Sequence, residues 1–291
     1  IVFDMRGDLY SLPISGGNAT ALTNDIAWNF QPTFSPDGSH IAFVSDRGGA
    51  DNLWVMNADG SNLRQVSREQ YDLVHNPAWS PDGRYLAGKK SFMGSRSIAA
   101  GEIWMFLAGG EGDGLQLTER PFGDEDQKNQ ADPAFSHDGR YVYFAQDTTP
   151  GRVWEYGKDA TGQIFVIQRY DRQDGETDTF VSGPGGAVRP VPSPDGRYLA
   201  FVKRLVDLKS ALYLKDLESG LETPIYTDFE RDLQETSGTE GNAPNFAWLP
   251  DASAIVFWSG GQLHRIDVAS REVSHIPLQI NTARKVQAVL R

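Results

Sequence analysis

No cysteine occurs among the 291 residues, which excludes disulfides, thiolate metal sites and thiol nucleophiles together. Histidine is scarce: His40, His75, His137, His264 and His275 are the full set, and none forms the His-x-His or His-Glu-x-x-His spacing that puts two imidazoles on one metal. A Gly-x-Ser-x-Gly elbow for a serine nucleophile is missing as well. No apolar run approaches the ~20 residues that a membrane helix needs, so no transmembrane segment is expected. Basic residues are outnumbered, 27 Lys and Arg against 39 Asp and Glu for a net charge of −12, and no basic cluster offsets phosphate repulsion. Nucleic acid is therefore not an expected partner. Ile1 stands where an initiator Met would, so the chain reads as a processed or trimmed segment with any signal peptide upstream.

What is abundant points to strands and turns. There are 30 Gly and 16 Pro for turns, and 15 Phe, 10 Tyr and 7 Trp, flat side chains that pack well on a pleated surface. A single turn recurs: Ser35-Pro36-Asp37-Gly38, Ser80-Pro81-Asp82-Gly83, Ser136-His137-Asp138-Gly139, Ser193-Pro194-Asp195-Gly196 and a degraded Leu249-Pro250-Asp251-Ala252. Its second position falls at 36, 81, 137, 194 and 250, one supersecondary unit per interval. Within a unit the pattern is strand, tight turn, strand, loop, strand, turn, strand, as in 32–34, 41–44, 53–56 and 63–66. Pro presets φ, Asp bonds the backbone ahead of it and Gly takes the positive φ that closes the turn.

A lone four-stranded blade cannot bury both faces, so the blades must stack around an axis. The expected fold is an all-β propeller, with residues 1–291 forming one domain of six blades; part of a seven- or eight-bladed ring is the alternative. Residues 1–23 read as a blade lacking its innermost strand, to be completed by 285–290 or by sequence beyond this chain.

The units from Pro32, Pro77 and Pro133 resemble the TolB-type propeller repeat in their Phe-Ser-Pro-Asp-Gly turn, Ile-Ala-Phe-Val-Ser strand and Leu-Trp-Val-Met-Asn-Ala-Asp-Gly-Ser strand and turn. The segments Phe3–Pro13, Lys89–Trp104 and Val181–Pro190 are also similar to the amino-terminal propeller of secreted bacterial proteins in which a metal-dependent amidohydrolase domain follows. That resemblance implies a periplasmic or secreted setting and an amidohydrolase companion; the hydrolase half itself is not in this chain.

Function is then sought on one face. A blade's second connection and its link to the next blade share that face, and the longest connections, 89–101, 119–132, 147–162 and 226–245, all belong to it. At the start of each innermost strand the aligned residues are polar: Gln31, Asn76, Asp132, Arg189 and Asn245, four of them before a proline. They are expected to ring the channel mouth, where they either hold a ligand or cap backbone groups. His75 is the one imidazole placed near that mouth, and Lys90 and Arg96 add positive charge suited to a carboxylate on a partner. No cofactor is expected. Ca²⁺ on the acidic loops 124–126 and 230–232 is the weak exception, because neither has the spacing of a calcium loop.

Three functions follow. The first is a non-catalytic scaffold that docks a protein partner or companion domain through the long-loop face. The second is a gate that takes a small polar ligand or peptide into the channel mouth, and the third a free-standing hydrolase or lyase built around His75.

Overall fold

In the computed structural model, the described residues are all but 94–98, 154–161, 208, 231–244, 284 and 286–291. Five four-stranded antiparallel sheets and one three-stranded sheet follow one another along the chain. Blade 1 comprises Val2–Met5, Asp8–Ser11 and Thr20–Ala21. Blades 2 to 6 begin with the inner strands Asn29–Phe34, Leu73–Trp79, Gln130–Phe135, Val188–Pro192 and Phe246–Trp248. The expected all-β propeller of six blades is thus the observed fold. Among the described residues blade 1 has no innermost strand; of the segment expected to supply it, all but Lys285 lies outside them.

Both faces of every sheet are apolar because each meets a neighbouring blade. In blade 5, Leu199 and Phe201 face blade 4 while Ala200 and Val202 face blade 6. Blade 2 does the same, Ile41 and Phe43 packing on blade 1 and Ala42 and Val44 on blade 3. A strand buried on both faces reads as a continuous apolar run, which is what 41–44 and 199–202 are. The final interface joins the ends of the ring: Val256, Leu263 and Ile276 of blade 6 pack with Leu12, Phe3 and Ile1 of blade 1.

That seam is also hydrogen-bonded. Leu278–Gln279 runs parallel to Gly17–Asn18, Gly17 N–H donating to the Pro277 carbonyl at 2.8 Å and Ala19 N–H to Gln279 at 2.8 Å. Gly16 has φ +82°, and a Cβ there would run into the Pro277 carbonyl oxygen.

The repeated turn has a more elaborate bonding scheme than its Asp and Gly alone suggest. Ser80 Oγ donates to Asp82 at 2.6 Å and accepts the Tyr85 N–H at 2.9 Å, while Asp82 also accepts the Arg84 N–H at 3.1 Å. Ser35, Ser136 and Ser193 repeat this. Leu249 cannot, and Ala252 sits at φ +58° where the other turns have glycine, so of these side-chain bonds the blade 6 turn keeps only those from Ser253 to Asp251.

The hydroxyls of Ser80 and Ser136 hold Asp82 and Asp138 below the usual carboxylate range. At Asp195 partial desolvation pulls upward, but the Ser193 hydroxyl and the Arg197 N–H outweigh it. A carboxylate whose folded pKa is depressed adds stability that is present above its unfolded value, about 3.9, and is lost as pH falls through the folded one. The urea midpoint should therefore hold from pH 7 to about 5 and fall below about pH 4. Ser80→Ala should lower stability at pH 7 by about 1 kcal/mol and lessen the acid loss, both read from urea titrations. Gly16→Ala, which strains the seam, should cost about 2 kcal/mol or more and lower Tm.

Candidate functional site

The channel mouth is built by a bulge repeated in four blades. Along the inner strand of blade 2, Phe30 pairs with Val44 and Thr33 with Ala42, so Gln31 and Pro32 together face the single residue Phe43. The same skip sets Asn76-Pro77, Asp132-Pro133 and Arg189-Pro190 against one residue each. At a bulge the ladder is interrupted, so proline's missing N–H leaves no partner unsatisfied. The preceding residue is driven left-handed: φ is +52° at Gln31, +54° at Asn76, +52° at Asp132 and +54° at Arg189. A non-glycine residue there costs on the order of 1–3 kcal/mol and persists only where its surroundings hold it.

What holds these residues is a chain of hydrogen bonds from blade to blade. Gln31 N–H donates to Asp4 Oδ1 at 3.1 Å, and Asn76 N–H to Gln31 Oε1 at 2.8 Å. Asn76 Nδ2 and Arg189 Nη1 both donate to Asp132 Oδ1, each at 3.1 Å, and the same Nη1 reaches Asn245 Oδ1 at 2.8 Å. One residue from each of six blades therefore takes part: Asp4, Gln31, Asn76, Asp132, Arg189 and Asn245. Asn245 departs from the other four aligned positions, since it has no following proline, no positive φ and no bulge. Asp4 was not singled out by sequence, because blade 1 offers no inner strand to align. Its one signal was a carboxylate ending the apolar run Ile1-Val2-Phe3.

The remaining candidates lie elsewhere. The ring of His75 turns toward blade 2, with Nε2 at 3.0 Å from Asp51 Oδ2 and its centroid 5.5 Å from that of the Phe30 ring. Lys90 was expected to offer its charge to a partner. Instead it is buried, 2.9 Å from Glu69 and 3.6 Å from Asp72, with the Trp104 ring centroid 4.5 Å away. This pairing answers the cost of burying an ammonium. Arg96 lies outside the described residues.

The 89–101 connection is shorter than its sequence suggested, because Tyr85–Met93 and Ala99–Leu107 continue as paired strands to Met93 and Ala99. In the 119–132 connection, Asp126 caps its own loop through the Lys128 and Phe122 N–H groups. Residues 126–130 are buried although all are polar; Lys128 donates to Thr149 at 2.5 Å. Glu230 accepts from the Gly260 N–H and the Ser259 hydroxyl. Among the described residues no group of three or more His, Asp or Glu is placed to hold a metal ion.

The bulged inner strands and Ser-Pro-Asp-Gly turns invite comparison with known propellers. Residues 3–105 match the TolB beta propeller domain. The fold agrees: TolB from Acinetobacter baumannii superposes with a TM-score of 0.67 at 17% identity, covering 93% of this chain and 62% of that one. The protein TolB homolog of Chlorobaculum tepidum is 34% identical over 92 residues, 31% of this chain and 20% of the relative. An uncharacterized Bacillus subtilis peptidase, YuxL, is 26% identical over 196 residues, 67% of this chain and 25% of the relative. The matches thus span a quarter or less of the lengths of the Chlorobaculum and Bacillus relatives. The repeat over residues 3–105 is thus similar to that of TolB propellers, and the likeness to solved structures is one of fold.

The collar can be tested by its own energetics. Arg189→Ala should cost about 2–3 kcal/mol, because it removes the cation bonded to the buried Asp132 carboxylate. Combining it with Asp132→Ala in a double-mutant cycle should give a coupling of about 1–3 kcal/mol in urea unfolding.

Proposed function

We propose that this chain is a non-catalytic TolB-type propeller that holds a protein partner, or a companion domain of its own gene product, on the face where the channel mouth opens. The observation that carries this is where its exposed aromatic side chains lie. Trp28 (50% exposed), Tyr71 (84%) and Phe122 (52%) sit on links between blades, and Trp258 (41%) adjoins the second connection of blade 6. All of these belong to the mouth face. Among the described residues the opposite face carries the hydrogen-bonded Ser-Pro-Asp-Gly turns and one exposed aromatic ring, Phe34, at 37%. Exposed aromatic rings gathered on one side of a rigid scaffold are the composition of a protein interface.

The candidate collar residues supply a polar centre to this surface. The resemblance of Phe3–Pro13, Lys89–Trp104 and Val181–Pro190 favours an amidohydrolase as the companion; the similarity to YuxL favours a peptidase domain. The same resemblance supports a periplasmic or secreted setting. No described helix is long and apolar enough to cross a membrane. A hydrolase or lyase centred on His75 is the weaker alternative, because that imidazole is directed to Asp51 and Phe30.

A chain without cysteine allows a clean footprint. Gln70→Cys marks the mouth face beside Tyr71, and Glu218→Cys marks a turn on the opposite face. Maleimide labelling of Gln70→Cys should slow several-fold when the protein is assayed in extract of its native host rather than in isolation, while Glu218→Cys labels at an unchanged rate. Equal labelling of both sites under both conditions would end this reading.

A further inference from the structure

Among the described residues the hydrogen-bond chain around the mouth is open at one place. It begins at Asp4 and ends at Asn245, on the two sides of the seam between blades 1 and 6. Asp4 is solvent-accessible, yet protein atoms crowd it enough to raise its pKa, the combination expected of a carboxylate on a concave wall. Its hydrogen-bond donors are backbone N–H groups, that of Gln31 and its own. The collar's other carboxylate, Asp132, already has the Arg189 guanidinium. Asn245 spends its Oδ1 on Arg189, which leaves its amide N–H₂ as the donor end of the chain.

Resting on the docking function above, we propose that the mouth takes a basic polypeptide segment, a lysine or arginine side chain binding Asp4 and its flanking residues lying on the mouth-face aromatics Trp28 and Trp258. Three features converge on that chemistry. The open position is an anion without a cationic side chain among the described residues, and a bound ammonium or guanidinium would supply one through a charge-assisted hydrogen bond. Trp28 directly precedes the inner strand of blade 2, whose Gln31 bonds Asp4, and Trp258 is the penultimate residue of the second strand of blade 6, so an exposed indole stands on each blade that neighbours blade 1. Indole faces attract cations and pack the aliphatic stems of lysine and arginine. Finally, the chain carries a net charge of −12, which draws a basic segment in and repels an acidic one.

The test uses three fluorescein-labelled decapeptides of one Gly/Ser/Trp framework bearing two Lys, two Gln or two Glu, titrated by fluorescence anisotropy into the 291-residue chain. The Lys peptide should bind at least about tenfold tighter than the Gln peptide, and the Glu peptide more weakly still. Asp4→Asn should remove most of that preference, about tenfold in Kd, while Asp59→Asn, an exposed carboxylate on the opposite face, leaves it intact. Trp28→Ala should weaken the Lys and Gln peptides alike. Circular dichroism and Tm would verify that each variant folds.

Equal binding of the three peptides, an unchanged preference in Asp4→Asn, or an equal loss in Asp59→Asn would overturn the proposal. So would failure of every peptide to bind. If Gln70→Cys is nonetheless protected in native extract, the docking face stands and only the basic character of its occupant falls. Failure of that footprint alongside peptide binding would point instead to a peptide site without a stable partner.

Discussion

Every blade depends on its neighbours to bury two apolar faces. Side chains alternate across a strand, so Ala42 and Val44 inevitably leave the sheet on the side opposite Ile41 and Phe43. Either set exposed would be an aggregation surface, and no single blade can cover both. The ring must therefore close, and the weakest interface limits the whole. Closure falls at the seam, where blade 1, three-stranded among the described residues, meets blade 6 through the Leu12, Val256, Leu263 and Ile276 cluster and two short parallel strands. Gly16, Gly17 and Pro277 are small or rigid at the point where the two chain segments touch, as close backbone approach requires.

The mouth obeys a second constraint that follows from the first. Five inner strands converge there among the described residues, and the left-handed residue at each bulge sends a polar side chain to the next blade instead of into an interblade core. Backbone strain at Gln31, Asn76, Asp132 and Arg189 is offset by the bonds they exchange, so the collar couples the blades while staying polar. A rigid polar centre of this kind is costly to build, and a single well-packed turn would have capped the strands more simply.

The sequence made the blades legible because each is a local object: Ser-Pro-Asp-Gly, alternating apolar residues and a second turn all fall within one repeat. The collar was half legible. A polar residue before proline recurs at 31, 76, 132 and 189 and could be aligned, but its left-handed φ is set by a register skip against a strand ten or more residues away. Contacts distant in sequence left no trace: Lys90 looked like a free surface charge because Glu69 lies on the link before its blade and Trp104 on the next strand, and the paired extension through Lys89–Met93 looked like a loop because it opens with Lys89, Lys90 and Ser91. Asp4 was invisible for a different reason, since alignment by repeat finds only what every blade possesses.

Asp4 also shows why function in a propeller gathers at irregularities. Where the repeat is perfect, each blade satisfies the next, and the Asp132 to Arg189 bond leaves neither charge to spare. Where the described residues lack one strand of the pattern, the chain of satisfied groups has two ends, an acceptor on blade 1 and a donor on blade 6. Propellers support many unrelated activities, so the fold alone does not decide what occupies such a gap. The charge at the gap does constrain it: a carboxylate crowded by protein is stabilised by a cation, and every anionic occupant would have to overcome both Asp4 and the net charge of the whole chain.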